Sequence, residues 1–223
     1  MSKQNKKDNL IRRYIVFLTG LLICSFGVAC TTKAGLGTSP VAAIPYTLAL
    51  IFDKISFGNW LIIFCFFQII VQIILLRRNT IVSDIVIQAV LAFLYGYVTD
   101  FSLRLLDGIE LKHYVTQVGF LVVGCFILAL GVYLELLGGV GMLSGDAFIK
   151  AIATVTKKEY GNVKIVTDTS MTVFSAIISV IMLHKLVGVR EGTVIAAIIV
   201  GMIIKLYTRC FKKIAVQIIP ETE

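Results

Sequence analysis

Six stretches of this sequence are apolar for long enough to cross a bilayer: Tyr14–Thr32, Trp60–Leu76, Ile81–Leu103, Tyr114–Leu137, Val163–Leu183 and Thr193–Thr208. A hydrocarbon core of about 30 Å takes about 20 helical residues to span. Inside it each backbone N–H and C=O must be paired within its own segment, which favours helices. With 58% hydrophobic and 15% charged residues and a mean hydropathy of +0.93, the chain lies far from the composition of a soluble domain. An all-α polytopic membrane protein is expected.

Two shorter apolar pieces, Ser39–Phe52 and Leu143–Thr156, carry the Gly, Pro and charged residues that a plain anchor avoids. The first follows "AGLGTSP", where Gly35 and Gly37 free the backbone to turn. There Thr38 or Ser39 can cap a helix that has Pro40 in its first turn. The second follows "GGVGMLSGD", where Gly139 and Gly141 precede Ser144, Gly145 and Asp146. A short helix starting inside the membrane would leave unpaired N–H groups and a positive dipole end there. Such interruptions in both halves of a chain are the sequence mark of a transporter's substrate site. The other reading is two tight turns between ordinary spans.

The two breaks belong to a repeat. Sliding the sequence by 104 residues superimposes Gly20, Gly27, Gly35 and Gly37 on Gly124, Gly131, Gly139 and Gly141. With slips of a residue or two, Ser39 falls on Ser144, the "GN" of Gly58–Asn59 on Gly161–Asn162, and Gly96 on Gly201. This predicts two tandem units of about 100 residues, 14–108 and 114–210, between a basic N-terminus (1–13) and a C-terminal tail (211–223). Each unit reads as long helix, Gly-rich break, short helix, "GN" turn, long helix, basic loop, long helix. Gly20/Gly27 and Gly124/Gly131 recur every seven residues, a spacing that packs the repeats together or joins two protomers.

The net charge of +8 sits beside the spans, as positive-inside topology requires, and needs no nucleic acid to explain it; lipid is the expected contact. Two topologies satisfy the rule. If the short segments span, the Lys/Arg divide 14 inside to 5 outside, with parallel repeats; if they re-enter, 13 to 6, with inverted repeats. Both put the N- and C-termini in the cytoplasm. The basic start, apolar run and "GVAC" resemble a signal peptide, but cleavage would destroy the repeat, so the first span is expected to stay. Five scattered cysteines, without a CxxC or Cys/His cluster, predict free thiols and no metal site.

Ionisable residues concentrate in the second unit. Its first helix carries Glu135, placed between burial and the interface by its closeness to Gly139. Asp146/Lys150 and Lys164/Asp168 are each spaced i, i+4, so each pair can neutralise itself on one helix face. Gln68, Gln72 and Gln88 are the polar positions within the first unit's long helices, and Asp84 and Asp100 bracket Ile81–Leu103 at the interfaces. No nucleophile motif surrounds His113 or His184, and no Lys-Ser/Thr follows "GLGTSP" to make a phosphate loop. An enzyme, or a need for a cofactor, is not expected.

"AGLGTSP", the two "GN" pairs, "GVG…GD", Lys164 with Asp168, and "VGVREGTVIAAIIVG" in that order resemble the YczE/YyaS/YitT-type bacterial membrane proteins over about residues 12–210. The resemblance implies a bacterial cytoplasmic membrane and a genuine repeat, and little about activity. Three departures mark this chain: "MLSGD" replaces a Pro-Arg-Asp type of segment, Lys164 and Asp168 replace Arg and Glu, and "VIQAV" stands where Gly-Thr is usual. The expected function is a small-solute secondary transporter whose site, between the repeats, takes Gly35 to Pro40, Gly139, Gly141, Ser144, Asp146, Lys164, Asp168 and Gln68. The alternative is a membrane accessory protein that partners a biosynthetic or export system.

Overall fold

The computed structural model describes residues 3–77 and 81–211. The basic tail from residue 212 onward, the first two residues of the basic N-terminus, and residues 78–80 of the first basic loop lie outside these. Among the described residues there are eight helices and no strand: α1 Lys3–Lys33, α2 Pro40–Ile51, α3 Phe57–Leu76, α4 Val82–Leu105, α5 Tyr114–Gly138, α6 Ser144–Thr156, α7 Tyr160–Leu183 and α8 Glu191–Cys210. All but α2 and α6 are long and apolar enough to cross a membrane. The two "GN" pairs are not turns: Gly58–Asn59 and Gly161–Asn162 lie in the first turns of α3 and α7, because a helix N-terminus needs no intrahelical N–H partner there.

The centre of the bundle is the pair α1–α5, and glycine sets its closeness. A Cβ on Gly27 would stand 2.6 Å from Leu128 Cα, and one on Gly131 2.6 Å from Cys24 Cα. The seven-residue glycine spacing therefore packs one half of the chain on the other. The first span is the most buried of the six.

Sidedness follows from named contacts. Phe17 of α1 meets Gly138 of α5, while Thr31 meets Gly124, so the two helices are antiparallel. We call the face where α1 begins proximal and the other distal. The α4 helix runs with α1: Leu106 packs beside Cys30, and Lys33 pairs with Asp107 at 3.8 Å. Against it, α3 runs antiparallel, with Gly58 on Gly96 and the Phe66 ring 5.4 Å from that of Phe93. The α8 helix starts beside Leu36 and Gly37 and ends with Tyr207 on Tyr133, parallel to α5. Hence α1 ends and α3 begins on the distal face, with only α2 between them; α5 ends and α7 begins on the proximal face, with only α6 between them.

Both short helices are therefore re-entrant, from opposite faces. Their N-terminal turns meet at Gln68, the twelfth residue of the twenty in α3, about 18 Å along its axis and so near mid-depth. A Cβ on Gly145 would touch Val41 Cγ1 at 3.3 Å and the Gln68 amide at 3.8 Å. Irregular backbone at such depth survives only where protein satisfies it. Leu36 O accepts from Gly192 N at 2.8 Å, Arg190 Nη1 donates to Gly35 O at 3.2 Å, and the buried Thr32 and Thr38 hydroxyls pair at 2.9 Å. Gly37, at φ +107°, packs so tightly on Thr193 that no other residue fits.

Helix pairings correspond across the halves. Contacts α1–α4, α2–α7 and α2–α3 match α5–α8, α6–α3 and α6–α7. One does not: α3 packs along α4, whereas α7 and α8 scarcely touch.

Candidate functional site

Two polar groupings lie next to each other on the proximal side of mid-depth. The first is built on α6 and α7. Tyr160, Lys164 and Asp168 recur at i, i+4, i+8 and so share one face of α7. Opposite them is Asp146, in the first turn of α6, where the positive end of the helix dipole favours a carboxylate. Lys164 Nζ lies 3.1 Å from Asp146 Oδ1 and 3.6 Å from Asp168 Oδ2, and the Tyr160 hydroxyl donates to Asp146 Oδ1 at 2.9 Å. The expected Lys164/Asp168 pair is present. The expected Asp146/Lys150 pair is not: Lys150 is exposed, and Asp146 is satisfied across the helix interface instead, where Lys164 serves two carboxylates at once.

The second grouping is a cavity of about 690 Å³ between the proximal halves of α1, α3, α4, α5 and α6. Leu76, Asp84 and Tyr160 stand towards its mouth, and Gln72, Gln88, Glu135, Leu143 and Asp146 line it farther in. Glu135 is buried, at 9% exposure. Its Oε1 has no hydrogen-bond partner, and neither have Oε1 of Gln72 or of Gln88. Three helices thus each bring to the cavity wall a side chain with a buried, unsatisfied acceptor.

The expected site residues separate on this geometry. Gly139, Gly141 and Asp146 line the cavity, and Lys164 and Asp168 stand behind Asp146. Ser144 and Gln68 do not line the cavity; they are buried together at mid-depth, the Ser144 hydroxyl donating to Gln68 Oε1 at 3.1 Å. Gly35, Gly37, Thr38, Ser39 and Pro40 do not line the cavity; they belong to the distal break, packed against α8 and buried or half-buried apart from Gly35. The capping roles also differ. Ser39 is the N-cap of α2 with Pro40 behind it, but its hydroxyl makes no capping bond. In α6 the N-cap is Leu143, because the Ser144 hydroxyl is taken by Gln68.

A family model matches residues 11–209, nearly the whole membrane region. The chain belongs to DUF6198, a family of unknown function. No curated protein and no solved structure matches it. In this DUF6198 member the expectation of an uncharacterised membrane family therefore holds.

Two features of the DUF6198 site were passed over in the sequence. Tyr160 could have been found from its i, i+4, i+8 row with Lys164 and Asp168. Glu135 had only an ambiguous signal, a carboxylate three residues before a helix end. Asp100, expected at the interface, turns inward: its Oδ1 accepts from Gly58 N at 2.6 Å and caps α3 from a neighbouring helix.

Proposed function

We propose that this chain is a small-solute secondary transporter of the bacterial cytoplasmic membrane, built from two inverted repeats. One observation carries the reading: a cavity of about 690 Å³ on the proximal side is lined by the buried Glu135 and the half-buried Asp146, and the two re-entrant helices meet at Val41, Gln68 and Gly145, one turn of α3 beyond the lining residue Gln72. A plain anchor has no use for a cleft whose apolar wall carries buried carboxylate and amide groups, and ionisable groups within membrane spans are functional by default. Half-helices from opposite faces meeting at the repeat interface are also the usual framework of a substrate site.

The 13-to-6 division of Lys/Arg that re-entrant short helices give supports a cytoplasmic proximal face, with both termini on that side. The motif likeness to the YczE/YyaS/YitT-type proteins agrees with that membrane. Asp146, Lys164 and Asp168 hold α6 to α7, so that movement of α7 carries the α6 wall of the cavity with it.

The test is counterflow in proteoliposomes with pooled labelled amines, amino acids, organic acids, nucleosides and vitamins. Asp146→Asn and Asp168→Asn should lose uptake while still eluting as folded protein. If both variants take up solute like the wild type, the mechanism is wrong. If no pool exchanges, the accessory-protein reading replaces transport.

A further inference from the structure

We infer that the proximal cavity binds a small organic cation, an ammonium or amidinium group on a hydrocarbon body, with Glu135 as counter-charge and the Gln72 and Gln88 amide oxygens as further acceptors. This rests on the reading of the cavity as a substrate site and names the chemistry of what enters it.

The unpaired buried polar atoms on this wall are acceptors. Glu135 is at 9% exposure, Gln72 at 6% and Gln88 at 4%, and each has an Oε1 without a partner. Among the described residues Glu135 joins no salt bridge. A buried carboxylate without a cation is costly, and each unsatisfied amide oxygen adds its own desolvation penalty. Among the described residues the one donor beside Glu135 is the weak, neutral Cys24 thiol, and the charged and hydroxyl donors near the cavity do not answer these groups. Tyr160 donates to Asp146, Lys164 is held by Asp146 and Asp168, and Lys150 is an exposed side chain on the wall. A ligand must therefore bring both positive charge and N–H donors.

Charge and shape exclude the other classes. Among the described residues an anion would meet Asp84, Glu135 and Asp146, with Lys150 as the one cation on the wall. A bare divalent ion needs several oxygen ligands at close range, and among the described residues no three His, Cys, Asp or Glu are grouped to hold one. The cavity is too large for a single ion, and Phe17, Ile87, Val132 and Leu143 give it apolar walls. Apolar walls with a few placed polar groups are the general form of a small-molecule site.

The experiment uses the full chain purified in detergent, with phenethylammonium and n-butylammonium as probes. Phenethyl alcohol, 3-phenylpropionate, sodium chloride and potassium chloride at matched ionic strength are the comparisons. Ligand binding to the folded state raises apparent stability by mass action. The ammonium probes should raise the melting temperature saturably, and the alcohol and carboxylate should not. Glu135→Gln should weaken ammonium binding by tenfold or more; Gln88→Leu, whose apolar replacement suits the buried position, should weaken it severalfold. The inference is overturned if no ammonium probe binds, if the alcohol or the carboxylate binds as well, if sodium or potassium alone gives the shift, or if Glu135→Gln binds like the wild type. Ammonium binding without flux in liposomes would keep the cation site and remove the transporter. Flux of an anionic solute that Glu135→Gln leaves unchanged would keep the transporter and remove the cation site.

Discussion

Replacing Gly58 by alanine should damage the protein far more than replacing Gly161, its counterpart at the same place in the second half. A Cβ on Gly58 would run into the Gly96 carbonyl oxygen and stand 2.5 Å from Asp100 Cγ, whereas a Cβ on Gly161 or Gly201 meets nothing within 4 Å. To restore ordinary contact, α3 and α4 must separate by about 1 Å, which forfeits a quarter to a half of each pair's dispersion energy along the seam. Overpacking of this kind costs about 1–3 kcal/mol. The separation also stretches the 2.6 Å bond from Gly58 N to Asp100, a charge-assisted bond worth about 1.5–3 kcal/mol. Against this, alanine gains at most about 1 kcal/mol of helix propensity. The net loss for Gly58→Ala is about 2–4 kcal/mol, which for a chain of this size lowers the melting temperature by roughly 5–15 °C. Gly161→Ala and Gly201→Ala should be unchanged or slightly stabilised. Thermal unfolding in detergent, followed through the single Trp60 two residues from Gly58, reads the difference. Equal losses for Gly58→Ala and Gly161→Ala would refute the reasoning, since α7 and α8 would then be packed like α3 and α4.

Three other outcomes are expected. Cysteines placed at Lys33 and Lys54 should react with an impermeant maleimide from the same side of intact cells and a cysteine at Lys157 from the other side only; labelling of Lys33 and Lys54 from opposite sides would mean that α2 spans. Lys164→Met should destabilise by about 1–2 kcal/mol, because Asp146 and Asp168 lose their shared cation in a setting still partly screened by solvent; adding Asp168→Asn should restore part of the loss, and strict additivity in that double-mutant cycle would show the pair uncoupled. Ser175→Ala should cost about 1–2 kcal/mol by chemical denaturation, since its buried hydroxyl pairs with Thr47 Oγ1 at 2.7 Å and donates to Ala43 O at 2.8 Å; a loss within error would mean that water replaces both bonds.

The six spans were legible because run length against bilayer thickness is a property of sequence alone, and the described helices end within a few residues of the apolar runs, apart from the polar extension at the start of α1. The seven-residue glycine spacing likewise located the α1–α5 seam. The side on which α2 and α6 turn back was not legible, since 14-to-5 and 13-to-6 satisfy charge asymmetry equally; only the antiparallel contacts of Phe17 and Thr31 decide it. Local spacing misled at Lys150, because an i, i+4 pair in a short helix gives way when a second helix presents Lys164 to the same carboxylate. It was silent at Glu135, because burial there comes from another helix: Gly20 lets the α1 backbone approach until a Cβ on it would lie 2.7 Å from Glu135 N.

Under the transport proposal the asymmetry between the halves takes on a direction. Gly58 and Gly96 close α3 on α4 towards the distal face, while Gly161 and Gly201, on the proximal parts of α7 and α8, face open space. The offsets of the expected repeat set Gln72, Gln88 and Glu135 against Ser175, Thr193 and Thr31. Those three are packed against neighbours: Ser175 bonds Thr47, Thr193 packs closely on Gly37, and Thr31 donates to Val28 O at 2.9 Å. The distal equivalent of the binding cavity is thus packed shut in the same state in which the proximal one is open. If the halves exchange conformations, the Gly161–Gly201 seam closes as the Gly58–Gly96 seam opens, and Thr47 withdraws from Ser175. Gly161 then matters to turnover and not to the stability of this state, so Gly161→Ala should melt like the wild type yet slow counterflow at least tenfold. Normal counterflow by that variant would mean that α7 and α8 never close, and the exchange would have to be sought elsewhere in the bundle.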